Sequence, residues 1–232
     1  MKFSQVLKSV ALAAAVAAAA PSFAATSYSF VSGTGTLTFD SGLIGALNAG
    51  GTVVSAVGGA TYSGGAVTST VTGIALDASN TVTSITSTGG ALQTAPVNFA
   101  GTGGNISISN LFVDVGTKTV YADLVGANGV GTQNHVAMWT STSISGQTAV
   151  TGTSFTSQLD NLYITATGKN YLIQGLGLTS IGIGVLNGVT TYGTLGTTAT
   201  FQAAAVPEPS TYALMGLGLA AVGFVARRRA AK

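Results

Sequence analysis

A two-residue period governs what this chain can fold into. Residues 105–114 read Asn-Ile-Ser-Ile-Ser-Asn-Leu-Phe-Val-Asp, apolar and polar side chains trading places along most of the run. Successive side chains of an extended backbone point to opposite faces, so a strand can bury one set and wet the other. Residues 35–39, 66–72 and 81–86 repeat the pattern with Val, Ile and Thr, whose branched side chains suit a pleated backbone. Val115-Gly116-Thr117-Lys118 interrupts it before 119–124 resumes, which predicts a hairpin. Further strands are expected near 136–144, 147–153, 181–186 and 191–201. Two segments depart from the period: Leu43, Ile44 and Leu47 follow Ser41 at helical spacing and stop at Gly50-Gly51, and Tyr171, Leu172 and Leu176 suggest another helical turn. Many short antiparallel strands without long helices predict an all-β protein, an antiparallel β-sandwich, with a β-solenoid as the alternative. No fixed-period repeat supports the solenoid.

The ends have a different character. Residues 1–24 carry Lys2 and Lys8, an apolar run over 10–20, and Ser22-Phe23-Ala24. That order is a secretory signal peptide, with signal peptidase expected to cut between Ala24 and Ala25. Near the other end stand Val206, Pro207, Glu208, Pro209 and Ser210, then an uncharged run over 211–226, then Arg227, Arg228 and Arg229. The prolines lack an amide hydrogen and push the preceding residues towards extended geometry, which makes the first piece a stiff spacer. Sixteen apolar residues form a helix of about 24 Å, short against a hydrocarbon core of about 30 Å. Snorkelling arginines and an interfacial Tyr212 extend its reach, and the arginines place the C-terminus in the cytoplasm. The expected organisation is a signal peptide at 1–24, a secreted β-rich domain at 25–205 and a tail with a transmembrane helix at 206–232.

The tail resembles the PEP-CTERM sorting signal of bacterial exosortase substrates, in which Pro207-Glu208-Pro209 corresponds to the core motif. The resemblance implies a chain held transiently in the inner membrane, then cut near Val206–Ser210 by an exosortase-type membrane peptidase. It implies passage to the surface of a Gram-negative, exopolysaccharide-producing cell. A second resemblance covers residues 97–124. The F-x-G-x-G pattern from Phe99 to Gly103, the strand ending at Asp114, and Tyr121-Ala122-Asp123 look like part of an HtaA-like β-sandwich domain. Some members of that family bind haem through tyrosine and histidine, but no such ligand can be carried onto a position here.

Charge and chemistry narrow the function. Six of the eight basic residues lie in the two ends; the body keeps Lys118 and Lys169 against five aspartates, a net −3. It therefore lacks the clustered Lys and Arg that phosphate binding needs, and no nucleic-acid partner is expected. Cysteine is absent, which removes disulfides, thiolate metal sites and a cysteine nucleophile. No nucleophile-elbow, zinc-protease, phosphate-loop or dinucleotide motif occurs. A Ser-His-Asp arrangement would have to use His135, with Asp123 or Asp160 as its orienter. An imidazole where a loop enters a strand more often makes one hydrogen bond to backbone. Asp77 to Asn80 could contribute to a calcium site, and an Asx turn explains the segment at least as well. No metal, cofactor or catalytic residue is expected, and the chain is not expected to be an enzyme. Trp139, Tyr62, Tyr121, Tyr163 and Tyr192 could form a sugar-stacking face or serve as core. Paired threonines could make an ice-binding face or merely suit strands. The favoured function is a structural or adhesive surface component associated with exopolysaccharide, the alternative a binding module for haem or a glycan, and a secreted hydrolase comes last.

Overall fold

In the computed structural model, the described residues are 26–204 and, in the tail, 215, 216, 218–220, 222, 223 and 227. The expected signal peptide with Ala24 and Ala25, the motif Val206, Pro207, Glu208, Pro209 and Ser210, and Arg228 and Arg229 lie outside them. Residues Ser27–Ala203 form one compact unit.

The body runs β1 (Tyr28–Phe39), α1 (Ser41–Ala49), β2 (Val53–Val57), β3 (Thr61–Ser63), β4 (Ala66–Leu76), β5 (Val82–Thr88), β6 (Gly90–Asn98) and β7 (Gly101–Asp114). It continues with β8 (Thr119–Gly126), β9 (Gly131–Thr140), β10 (Ser143–Gly146), β11 (Ser154–Asp160), β12 (Tyr163–Ile164), α2 (Ala166–Leu176), α3 (Ser180–Asn187) and β13 (Gly193–Ala203). The strands join one sheet in the order β10-β11-β13-β1-β4-β5-β7-β8-β9-β12, with β2 and β6 branching from β7 and β3 from β4. Every pairing is antiparallel, as the alternation requires.

The sheet curls until its inner faces meet. Leu37 and Phe39 of β1 and Val67 of β4 share one internal gap with Ile108 and Leu111 of β7 and Trp139 of β9. Ile106, Val120, Leu124, Met138 and Leu162 are wholly buried in the same core. Burying each such side chain is worth about 1.5–3 kcal/mol. The curl also explains one departure from expectation. Residues 147–153 do not form a strand; Ala149 makes a lone bridge to Thr81, and the Val82 and Val150 amides bond Thr148 and Asn80 carbonyls at 2.9 Å. This connection ties the β10–β11 turn to the start of β5. At the other junction Gly193 has φ +136, and a Cβ there would collide with the Thr38 carbonyl, so only glycine lets β13 begin beside β1.

Both helical segments read from the sequence are present. Asp40 caps α1 by accepting the Gly42 amide at 2.8 Å, and Gly177, in the left-handed conformation, ends α2. Residues 181–186 are a correction: they belong to helix α3, not to a strand. Ile181, Ile183 and Val185 alternate with glycine, which mimics a strand locally. Tertiary packing selects the helix, because Gly182 and Leu186, four apart and on one helical face, are both buried. A Cβ at Gly182 would meet the Ala100 carbonyl. In the tail, the described residues from 215 to 227 are helical, with Met215, Leu219 and Val222 well exposed. Among the described residues, no helix is long and apolar enough to cross a membrane.

Candidate functional site: an aromatic platform braced by Asp123

On the outer face of β7, β8 and β9 the ladder departs from regularity. Register slips between Ser109 and Phe112 on β7 and, on β8, between Val120 and Tyr121 and between Ala122 and Leu124. Extra residues in a ladder bend the strand and re-aim its side chains. At two of these places a residue other than glycine takes the left-handed region: Asn110 with φ +52 and His135 with φ +53. Asparagine tolerates that region better than most residues, whereas histidine needs support.

One carboxylate supplies support to both. Asp123 Oδ1 accepts the His135 main-chain amide at 2.9 Å, and its Oδ2 accepts the Asn110 side-chain amide at 3.1 Å. Hydrogen bonds to a charged acceptor are the stronger kind, so Asp123 can hold two unfavourable backbone geometries at once.

The bends gather three rings. Tyr121 and His135 stack with centroids 4.3 Å apart and planes 6° from parallel. Phe112 leans on both, 6.0 Å from Tyr121 at 59° and 5.2 Å from His135 at 55°. Their neighbours Val113, Val120, Ala122 and Val136 face the core, while His135 is exposed and Phe112 and Tyr121 are half-buried. The result is an apolar, flat-sided surface beside a carboxylate and an imidazole. Such a surface can stack against a ring or the C–H face of a sugar and accept hydroxyl hydrogen bonds.

The other candidate residues fall elsewhere. Trp139 and Tyr192 are core residues whose rings lie 6.5 Å apart, and Tyr62 packs on Phe39. Tyr163 is exposed on β12, whose partner is β9. Of the five aromatic residues singled out in the sequence, Tyr121 alone belongs to the platform. Phe112 and His135 complete it; the phase change from buried Ile106 and Ile108 to buried Leu111 and Val113 marks the first bend in the sequence itself.

His135 sits within β9 at a bulge, and its ring stacks rather than bonding to backbone. Asp123 engages it through the main chain. Asp160 accepts from the Ser145 hydroxyl at 3.1 Å and the Gln158 amide at 2.7 Å. Asp77 makes an Asx turn, accepting the Ser79 and Thr81 amides at 2.8 and 2.9 Å. No group of three or more His, Asp or Glu converges on a metal position among the described residues.

Comparison with known proteins matches the two parts of the chain to different relatives. A search of curated protein sequences finds no significant match. Among solved structures, the body is similar in fold to the C-terminal domain of HtaA from Corynebacterium glutamicum. That likeness has TM-score 0.53 and 13% identity over 76% of this chain and 100% of that one. Weaker likenesses are to the heme binding protein HtaB (TM-score 0.45, 15% identity, 77% of this chain and 96% of that one) and to the N-terminal domain of HtaA (0.47, 12%, 74% and 98%), both from the same organism. Residues 205–229 match the PEP-CTERM protein-sorting motif. The matched segment contains Val206, Pro207, Glu208, Pro209 and Ser210 together with Arg227, Arg228 and Arg229, so the chain carries the sorting signal of an exported cell-envelope protein processed by exosortase.

Proposed function

We propose that the body, residues 25–205, is a non-catalytic glycan-binding module that serves as an adhesive or structural component of an exopolysaccharide-rich surface. The observation that carries this reading is the platform of Phe112, Tyr121 and His135 braced by Asp123. A pyranose has an apolar C–H face that suits these rings. Its hydroxyls can reach the remaining lone pairs of the Asp123 carboxylate and the nitrogens of His135. The absence of catalysis is supported by the employment of the groups a triad would need: Asp123 braces the backbone, Asp160 binds hydroxyl and amide donors, and His135 is stacked.

Binding to a panel of bacterial exopolysaccharides tests the proposal. Wild type is expected to bind at least one, and Tyr121→Ala and His135→Ala to weaken that binding about tenfold, because an aromatic contact is worth about 0.5–1.5 kcal/mol. Retained binding in both variants would overturn it. Tyr121 and His135 are also the two metal-capable side chains placed side by side, which favours haem as the second reading. A Soret band that forms with haemin in wild type and is lost in both variants would give that reading precedence.

Delivery follows the same proposal. Signal peptidase cuts between Ala24 and Ala25; Arg227, Arg228 and Arg229 then hold the C-terminus in the cytoplasm while the apolar run sits in the inner membrane. Exosortase next cleaves at or near Val206–Ser210, releasing the body to the surface. Replacing Pro207-Glu208-Pro209 by alanines leaves insertion intact but makes the full-length form accumulate in the membrane. A surface form still ending at Lys232 would sink the processing step.

A further inference from the structure

The charge on β7, β8 and β9 sets what the platform can hold. These three strands carry Asp114 and Asp123 and no lysine or arginine. Side-chain parity puts both aspartates on the face that carries the rings. Asp114 follows Phe112 by two positions on β7, and Asp123 follows Tyr121 by two on β8. Phe112 pairs with Tyr121 in an antiparallel ladder, so the two aspartates stand at opposite ends of the ring pair. Four residues of strand rise separate them by about 13 Å along the hairpin, a gap that a short run of linked sugars can bridge.

Both carboxylates are fixed in place. The Thr117 amide, donated at 3.1 Å, holds Asp114 below the ordinary carboxylate value, so it is charged at neutral pH. Asp123 accepts the His135 and Asn110 amides on separate oxygens, and each oxygen keeps a lone pair for a further donor. Of the body's two lysines, Lys118 stands in the turn beyond Asp114 and Lys169 in α2. A sugar carboxylate laid on the rings would meet two negative groups and no cation on these strands. A sugar ammonium would meet two acceptors and the negative ring faces of Phe112 and Tyr121.

We propose, building on the platform reading, that the ligand is a glycan of amino sugars with free ammonium groups. One sugar stacks on the rings, and ammonium groups of the sugars on either side face Asp114 and Asp123. The rings supply affinity and the carboxylates selectivity. An N-acetylated glycan keeps the stacking but loses the charge, and a uronic-acid glycan is repelled.

The full chain is titrated calorimetrically with a glucosamine trimer, its N-acetylated counterpart and a galacturonic acid trimer, with the sugar amines protonated. The glucosamine trimer should bind about fivefold tighter than the acetylated one, the scale of exposed ion pairs, and the galacturonate weakest. Salt at about 1 M, where the Debye length falls to about 3 Å, should bring the first two together. Asp114→Asn leaves the Asp123 brace intact. It should cut the glucosamine advantage to about twofold and leave the acetylated trimer unchanged. Tyr121→Ala should weaken both trimers about tenfold. Equal affinity for the two trimers in wild type, each weakened in Tyr121→Ala, would overturn the ammonium preference and leave the platform standing. An advantage that Asp114→Asn does not reduce would do the same, as would a protein that binds an exopolysaccharide of the panel but not the glucosamine trimer. Binding of neither, or glucosamine-trimer binding untouched by Tyr121→Ala, would overturn the platform reading as well.

Discussion

Two stretches of one sheet meet solvent in opposite ways. Outside β13, β1, β4 and β5, hydroxyls meet hydroxyls: Thr34 with Thr198 and Ser32 with Thr200 at 2.8 Å, Thr72 with Thr86 at 3.3 Å. The β1 register holds without a slip from residue 33 to 38 against both neighbours. Each stretch slips three times in all, the first between Phe30 and Ser32, Val71 and Gly73, and Ala75 and Leu76. Only outside β7, β8 and β9 do the slips hold residues other than glycine, Asn110 and His135, in the left-handed region. The first face satisfies its own polar groups, and no residue of these four strands other than glycine takes the left-handed region, so it explains the threonine-rich composition without a ligand. The second keeps a carboxylate occupied in bracing the bent backbone beside three grouped rings. Strain of this kind tends to persist at binding sites, because the surrounding structure has to over-determine it.

The largest expected effect tests whether both faces rest on one core. Phe155, 1% exposed beneath the regular face, packs edge-on against Phe201 at 6.2 Å and 78°. Phe155→Ala should cost about 3–5 kcal/mol in denaturant unfolding. The platform should be lost in the same transition, followed by Trp139 fluorescence and by glycan binding. Two separate transitions would show that the halves fold independently and break the comparison.

Next comes the brace. Asp123→Ala removes the acceptor of two charge-assisted bonds and should cost about 1.5–3 kcal/mol, with glycan affinity falling in parallel. Asp160→Ala also loses side-chain donors, but those come from Ser143, Ser145 and Gln158, none of which takes a left-handed φ. Its cost should stay below about 1 kcal/mol, as for exposed polar contacts generally. Equal costs would mean that the bulges carry no special strain. Smaller again is the threonine ladder. Thr34→Val and Thr198→Val should each shift stability by about 0.5 kcal/mol or less, with a double-mutant coupling of about 0.2–1 kcal/mol. A coupling well above that would make the regular face more than a passive surface.

How much of this was legible in the sequence follows from how local each cause is. Alternation at 35–39, 66–72, 105–114 and 119–124 identified strands because side-chain parity is a property of neighbouring residues. The sorting tail was legible for the same reason, since its three parts act in sequence order. The helix at Ser180–Asn187 was not, because Ile-Gly-Ile-Gly-Val has strand parity and only packing of Gly182 against Ala100 chooses otherwise. The platform was half legible. Tyr121 was among the candidates, but its stacking on His135 depends on two bulges from different hairpins meeting at Asp123. The unpartnered hydroxyl of Tyr192 is beyond sequence reading altogether, since its burial follows from tertiary packing alone.

The smallest expected effect separates the two stretches by pH. The threonine pairs carry no ionisable group, so their contribution should not vary with pH. The β7–β8 hairpin does carry one: Asp114 accepts the Thr117 amide at 3.1 Å, and this bond, more than burial, holds its carboxyl below the ordinary value. A carboxyl whose pKa is lower in the folded chain than in the unfolded one favours folding wherever both are ionised, that is, above about pH 4. As pH falls through the unfolded value towards the folded one, the unfolded state takes up the proton first and the advantage drains away. Asp114→Asn cannot titrate there. The stability gap between wild type and this variant, read from urea midpoints, should therefore be flat from about pH 7 to 5 and shrink below about pH 4. The same comparison between wild type and Thr34→Val should stay flat throughout. Parallel behaviour of the two gaps below pH 4 would remove Asp114 as an electrostatic anchor of the hairpin.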